Sequence, residues 1–306
     1  MTTTLLNPGW LDPAAYIAFL NRAFPGQWDR NAYDWYLARS FRGVPADILV
    51  RADGERLLAG MGMSHRQIGV GGRIVDVGVI TAAATLPDQR GQGHYAKLLR
   101  MAVEYARDRR YVALLGFVTQ DNGSGRGLMR LGSRAIPSFY VHSGHRPAAR
   151  HPTTSVRADR AALRVRERVA RELARSSKAR QAHFHYERAE DWESQLIRRP
   201  HAVHAVQRGH DSLALVETVG STDRLQWLAC PKEKAVRNIA TLAARSESAG
   251  KRFFMYTLDG CVAAAAGRAG LRIRSGYLML QPTGTSSVDW NELAAAAWSV
   301  QSSDRL

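Results

Sequence analysis

The chain is poor in cysteine. Its 306 residues hold two, Cys230 and Cys261. Neither lies in a Cys-x-x-Cys pair or a Cys/His cluster, which argues against a disulfide framework and against a zinc site, so no metal is expected. No apolar run approaches the roughly 18–20 residues that a membrane span needs. The start, Met1-Thr2-Thr3-Thr4-Leu5-Leu6-Asn7-Pro8, has no basic stretch leading into an apolar one, so no secretory leader is expected and a cytoplasmic protein is the default. Acidic residues are also scarce. Asp and Glu number 27 against 43 Lys and Arg, a formal net charge of +16. That surplus suits an anionic partner, or a basic coat on solvated faces, and speaks to solubility before function. Hydrophobic residues make up 45% of the chain, enough for a sizeable core and, at this length, for two domains.

The residues present fall into a clear order. Asp12 and Pro13 open a helix whose Tyr16, Phe19, Leu20, Ala23 and Phe24 share a face. A second helical stretch is predicted over Arg30–Arg42. The period then becomes extended. Ala46–Arg51 and Arg56–Met63 read as strands joined at Asp53-Gly54, and Arg66–Val70 and Ile74–Thr85 as a pair joined at Gly71-Gly72. After a loop over Leu86–Gly93 comes a helix with Tyr95, Leu98, Leu99, Ala102, Val103 and Ala106 on one side. Tyr111–Thr119 is a continuous apolar run, as in a central strand buried on both faces. A short helix over Gly125–Leu131 and a strand over Ala135–His142 follow. Arginine and lysine dominate the next forty residues. Asp159–Arg175 mixes them with Glu167 and Glu172 at loosely helical spacing and without stacking aromatics, which predicts a surface helix and not a nucleic-acid arm.

The second half repeats the first at one displacement. The helix beginning at His94 recurs 138 residues on, from 94 to 232. The same step carries Gly132-Ser133-Arg134 onto Gly270-Leu271-Arg272 and Phe139-Tyr140-Val141 onto Tyr277-Leu278-Met279. One displacement serving several elements in order argues for duplication. Between Cys230-Pro231 and the second helix there is no room for a glycine loop.

The first half has such a loop: Thr85-Leu86-Pro87-Asp88-Gln89-Arg90-Gly91-Gln92-Gly93-His94. It leaves a strand and opens an amphipathic helix. The first turn of a helix carries free N–H groups at the positive end of its dipole, and glycines let a bulky anion reach them. Strand, Arg-Gly-x-Gly, helix, buried strand, Asn122 and a short helix ending in Leu-Gly together predict a pyrophosphate site.

In these residues the chain resembles the GNAT superfamily of acyltransferases. Arg90-Gly91-Gln92-Gly93-His94-Tyr95 matches the family's Arg/Gln-x-x-Gly-x-Gly/Ala signature except at Tyr95, where a small residue is usual. The resemblance covers about residues 10–142 and implies an α/β (α+β) GNAT fold, a mixed central sheet flanked by helices. The second half resembles a degenerate copy, so two GNAT-like domains in tandem are expected: 1–145 binding acyl-CoA, a basic linker with a surface helix at 146–188, and a degenerate domain at 189–306. The resemblance implies acetyl-CoA or another acyl-CoA as co-substrate, lying in a V-shaped gap between the strand ending near Thr85 and Tyr111–Thr119. Ala83, Ala84 and Thr85 would pair with pantetheine through their backbone. Arg90, Gly91, Gln92, Gly93, His94 and Tyr95 would hold the phosphates, and Asn122 would touch CoA. An amine would attack the thioester directly, as a small molecule or a protein group.

One departure concerns the acid. Where many relatives have a tyrosine that protonates the leaving thiolate, this chain has Leu128. Ser124 and Tyr140 are the candidate catalytic groups in its place. His94, His65 and Asp76 are weighed as bases, against a phosphate-loop residue and surface strand residues. The alternatives are a non-catalytic acyl-CoA-binding or interaction protein and a Fem-like transferase that takes its acyl group from charged tRNA. The basic charge suits CoA, an acidic acceptor or, less well, nucleic acid. No membrane partner is expected.

Overall fold

The computed structural model describes residues 2–24, 28–143, 154–157, 163–178, 182–208, 210–284, 290–296, 298–300 and 302. Its first elements are β1 (Thr2–Leu6), α1 (Pro13–Ala23), α2 (Arg30–Tyr33), β2 (Ser40–Phe41), β3 (Val44–Pro45), β4 (Asp47–Asp53), β5 (Arg56–Val70), β6 (Arg73–Thr85), α3 (His94–Asp108), β7 (Ala113–Thr119), α4 (Gly123–Arg130) and β8 (Arg134–His142). There follow β9 (Thr154–Arg157), α5 (Leu163–Lys178), β10 (Ala182–Phe184), α6 (Ala189–Leu196), β11 (Val203–Arg208), β12 (Ser212–Val219), β13 (Thr222–Ala229), α7 (Lys232–Ser248), β14 (Arg252–Thr257), α8 (Gly260–Arg268), β15 (Arg272–Pro282), α9 (Trp290–Ala295) and β16 (Trp298–Ser299).

Local chemistry sets most boundaries. Asp12 caps α1 by accepting from Ala15 N at 2.7 Å, and Tyr16, Phe19, Leu20 and Ala23 are its buried stripe. The second predicted helix is shorter than Arg30–Arg42. It consists of α2 and one π turn over Asp34–Ala38, after which the chain is extended. Arg42 (φ 53°) and Gly43 (φ 80°) make the turn between β2 and β3, and a helix cannot run through two left-handed residues. The predicted strands Arg56–Met63 and Arg66–Val70 are one strand, β5. Ser64, His65 and Arg66 suggest a break because they are polar, yet all three are buried.

One mixed sheet runs through the molecule in the order β1-β4-β5-β6-β7-β15-β8-β14-β13-β12-β11-β9. Its two halves exchange strands. β15, from the second half, pairs antiparallel with β7 and with β8, and β8, from the first half, pairs with β14. Gly276 lies opposite Ser138, its own copy under the 138-residue displacement, so the two-fold relation of the repeat passes between them. The chain is packed tightly there. A Cβ on Gly276 would stand 2.4 Å from Tyr140 Cε2 and 2.6 Å from Val118 O. The sheet thus runs through the boundaries at 145 and 189. Segment 146–188 supplies β9 at the far edge, α5, and β10 beside β5. Val169 of α5 is buried against Trp192 and Leu215, with Val165 and Leu173 beside it.

Each half also holds a parallel pair joined by a crossover helix: β6-α3-β7 and β13-α7-β14. Helix α3 packs on Met61, Met63, Leu114, Val118 and Met279, and α7 packs on its own half in the same way. The opposite face of the sheet centre is covered by β10, α9 and β16 over Ile68, Val79, Leu115, Tyr140 and Tyr256. Among the described residues no helix is long and apolar enough to cross a membrane.

Candidate active site

β6 and β7 are hydrogen-bonded only at Val77–Ala113, Gly78–Leu114 and Val79–Leu115. Beyond Val79 they diverge. The cause is a bulge in β6, where the register against β5 shifts between Gly60 and Gly62 and Ala82 takes a left-handed φ of 48°. The backbone of Ala83, Ala84 and Thr85 therefore borders a gap, with the upper half of β7 on its other side.

The glycine loop stands at the mouth of this gap. Pro87–Gln89 forms a single 3-10 turn, Gly91 (φ 82°) and Gly93 (φ 75°) are left-handed, and Gly93 is the N-cap of α3. A Cβ at either glycine would meet nothing within 4 Å, so the left-handed backbone, and not crowding, favours glycine, and the space above the loop is open. No side chain caps α3 and its first turn has no acidic residue. Its orphan N–H groups and positive dipole end are left for an anion. Arg90 ties the loop down, reaching Thr85 O and the C-terminal carbonyl Ala23 O of α1, each at 3.4 Å. Gln92 donates to Asp88 O at 3.4 Å. His94 is buried beneath the loop, and burial, with Arg51 and Lys97, holds its imidazole below the usual pKa. A neutral buried imidazole with no protein partner on either nitrogen is poorly placed as the base.

Tyr95 explains its own departure from the family signature. Its ring fills the space left by Gly127 of α4, where a Cβ would lie 2.7 Å from Tyr95 Cε1. Its phenol is hydrogen-bonded to Ser124, and burial pushes its pKa up to about 12. Asn122 accepts from Ser124 N at 2.9 Å and so caps α4. The structure thus joins Tyr95, Asn122 and Ser124 in one cluster beyond the end of β7. Gly127 is the sequence signal for the tyrosine's place. Leu128 is buried and packs toward Gly116. Tyr140 lies elsewhere, in an aromatic row on the other face of the sheet with Tyr256 (5.2 Å between ring centroids) and Phe254 (6.3 Å). His65 and Asp76 sit 3.6 Å apart at the paired end of β6, with the His65 ring on Tyr111.

Residues 12–121 match the family model described as acetyltransferase (GNAT) domain. The matched stretch runs from α1 to just past β7 and includes the glycine loop. Over nearly its whole length the chain is similar in fold to N-myristoyltransferase of Saccharomyces cerevisiae (10% identity, 92% of this chain and 79% of that one, TM-score 0.64). It is similar also to a tandem GNAT protein of the clavulanic acid biosynthesis pathway (13% identity, 94% and 100%, TM-score 0.59). A third likeness is to a GCN5-related N-acetyltransferase of Anabaena variabilis ATCC 29413 (12% identity, 92% and 73%, TM-score 0.59). At these identities the likeness shows the fold, a GNAT architecture with a large mixed sheet. No curated protein matches the chain.

The second half has the same crossover without the same opening. β13 and β14 pair over Thr222–Leu225 and Arg252–Met255 and then part. Helix α7 follows Pro231 directly, and Glu233 occupies its first turn. The amide of Tyr256, just past the paired stretch, donates to Ser302 Oγ at 2.7 Å.

Proposed function

We propose that the GNAT domain of this chain binds an acyl-CoA and transfers its short acyl group to a primary amine. The uncapped start of α3, with two open left-handed glycines at the mouth of the β6–β7 gap, carries this reading. That arrangement fits a pyrophosphate on the loop and a pantetheine arm along Ala83, Ala84 and Thr85. No ligand role of comparable kind is supported for the second half, which would shape the acceptor cleft and exclude water from it.

In the proposed step, the free amine nitrogen attacks the thioester carbonyl carbon. A C–N bond forms, the C–S bond breaks, and the nitrogen loses a proton. The departing thiolate gains one, so amine and acyl-CoA become amide and free CoA thiol. Positioning supplies most of the rate. Ser124 donates the proton to sulfur, and Tyr95 holds the hydroxyl in place and can resupply it. This assigns Ser124 the acid role that Leu128 cannot fill and leaves Tyr140 a packing role. The buried Leu128 also favours a second reading, an acyl-CoA-binding protein without turnover.

Thiol release from acetyl-CoA across an amine panel tests both. Release that depends on amine and falls about tenfold to a hundredfold in Ser124→Ala supports transfer. Tight acetyl-CoA binding by calorimetry, with no release for any amine, supports the second reading.

A further inference from the structure

On the face of β5 and β6 away from α3 lies a group of arginines that the sequence alone does not single out. The π turn over Asp34–Ala38 buries Trp35, and two guanidinium groups stack on its ring: Arg39 Cζ at 3.8 Å and Arg199 Cζ at 4.1 Å from the centroid. Arg199 has its own counterion. It donates to Glu217 Oε2 at 2.9 Å, in a pair almost wholly removed from solvent. Arg39 has none. Its bonds go to neutral oxygens, Ser194 O at 3.2 Å and Gln195 Oε1, and among the described residues no carboxylate lies within ion-pair distance of it. Burial pushes its pKa well below the usual arginine value, and Arg66 and Arg199 push it further. A half-buried guanidinium facing two more, with no acid of its own, is costly unless an anion completes the group.

The place is informative. Arg66 lies on β5 opposite Val77, and Ser64 opposite Val79, the last β6 residue paired with β7. The arginine group therefore stands one strand from the vertex of the gap, where the thioester carbonyl would lie under the proposed function. It stands on the face opposite the phosphate loop. Phe41 (4.9 Å from Arg66 Cζ) and Phe184 (5.9 Å) give that face apolar walls. The buried hydroxyl of Ser64 has no protein partner.

We infer that this face takes an acceptor amine that also carries an anionic oxygen group, a carboxylate or a phosphate, and that Arg39 binds that group. A purely cationic acceptor such as a polyamine is disfavoured by the same field. The word acceptor rests on the acyl-transfer proposal; the anion site rests on the arginines.

The test uses the full chain saturated with CoA, so that the phosphate loop is filled, at fixed ionic strength. Calorimetry is run with glutarate and with methyl phosphate, and with glutaramide and 1,5-diaminopentane as neutral and cationic counterparts. One of the two anions should bind measurably better than both counterparts, and which one does distinguishes carboxylate from phosphate. Arg39→Gln should weaken that binding about tenfold to a hundredfold, the worth of one charged hydrogen bond. Arg39→Lys should weaken it less, and both variants should keep wild-type affinity for CoA. Equal binding of all four probes by wild type overturns the inference. So does anion binding that survives in Arg39→Gln. If that variant does not fold, the wild-type series decides alone. Absence of turnover with every amine would sink the acyl-transfer proposal while leaving this binding result intact.

Discussion

Helices α3 and α7 occupy equivalent places in the two halves, each crossing between the strands of a parallel pair, yet their first turns are built for different ends. α3 begins at a left-handed glycine with open space around it, no capping side chain and no acid nearby. α7 begins at Pro231, likewise without a capping side chain, places Glu233 in its first turn, and follows β13 with no glycine loop between. An acid at a helix start satisfies the dipole from within. The start of α7 thus carries an acid where the start of α3 has none. The second gap is also closed from the side, since Ser302 takes the Tyr256 amide. Both halves hold the parallel pair and its crossover helix, and only the first has a glycine loop before that helix.

The sharpest break of this comparison is physical separation. Because β15 lies between β7 and β8, a fragment of residues 1–150 would expose a free edge on β7 and leave β8 without either neighbour. Unpaired strand edges invite aggregation. The fragment is expected to be insoluble or unfolded by circular dichroism and size-exclusion chromatography. A soluble monomeric fragment that binds acetyl-CoA normally would mean that the first half is self-sufficient despite the exchange.

Next in size is the loss of the ligand itself. Gly93→Asp puts a carboxylate at the positive end of α3 and forces a left-handed φ on a residue with a side chain, which costs roughly 1–2 kcal/mol. Acetyl-CoA affinity should fall at least a hundredfold by calorimetry. Glu233→Gln, in the matching turn of α7, should change affinity by less than twofold, with one site per chain throughout. Two sites per chain, or normal binding by Gly93→Asp, would remove the distinction between the halves.

A smaller effect lies at the two-fold. Gly276→Val should destabilise the chain by roughly 3 kcal/mol, because the backbone oxygen of Val118 cannot move aside as a side chain would. Its copy, Ser138→Ala, should be neutral or mildly stabilising, since the buried Ser138 hydroxyl has no protein partner. Urea unfolding midpoints compare the two. Equal destabilisation would show that the close approach is not confined to the Gly276 side.

Much of this was legible in the sequence where period and turn chemistry are local. The Asp12 cap, the turn at Gly71-Gly72, the amphipathic stripe of α3 and the repeat step all appear in the structure at the expected residues. Strand exchange was not legible, because pairing partners are non-local and β8 and β15 read identically in either half. The unity of β5 was hidden by Ser64, His65 and Arg66, whose polarity belongs to the two faces they line and not to a loop. At the site, the glycine loop could be read from its residues, but the contact between Tyr95 and Ser124 depends on how α4 packs on α3. Arg39 gave no sign, since an arginine within a predicted helical stretch is ordinary until the structure shows it without a counterion.

The smallest expected effect concerns proton uptake. Burial is the leading cause that holds His94 in the first half and His204 in the second below the usual histidine value. A histidine whose pKa is depressed by folding binds its proton more readily in the unfolded chain. Its contribution to stability is therefore present above the unfolded value, about 6.5, and is lost as pH falls through it. Thermal midpoints should decline from pH 7 toward pH 5.5. Acetyl-CoA should alter the two residues unequally. Phosphates on the loop beside His94 would offset the repulsion from Arg51 and Lys97 and raise its pKa, whereas His204, on β11, has no such ligand near it. Histidine Cε1 resonances followed by NMR through this range should show an upward shift for His94 alone when acetyl-CoA is added. If His94 titrates identically with and without acetyl-CoA, the phosphates do not sit at the start of α3, and the contrast with α7 loses its functional meaning.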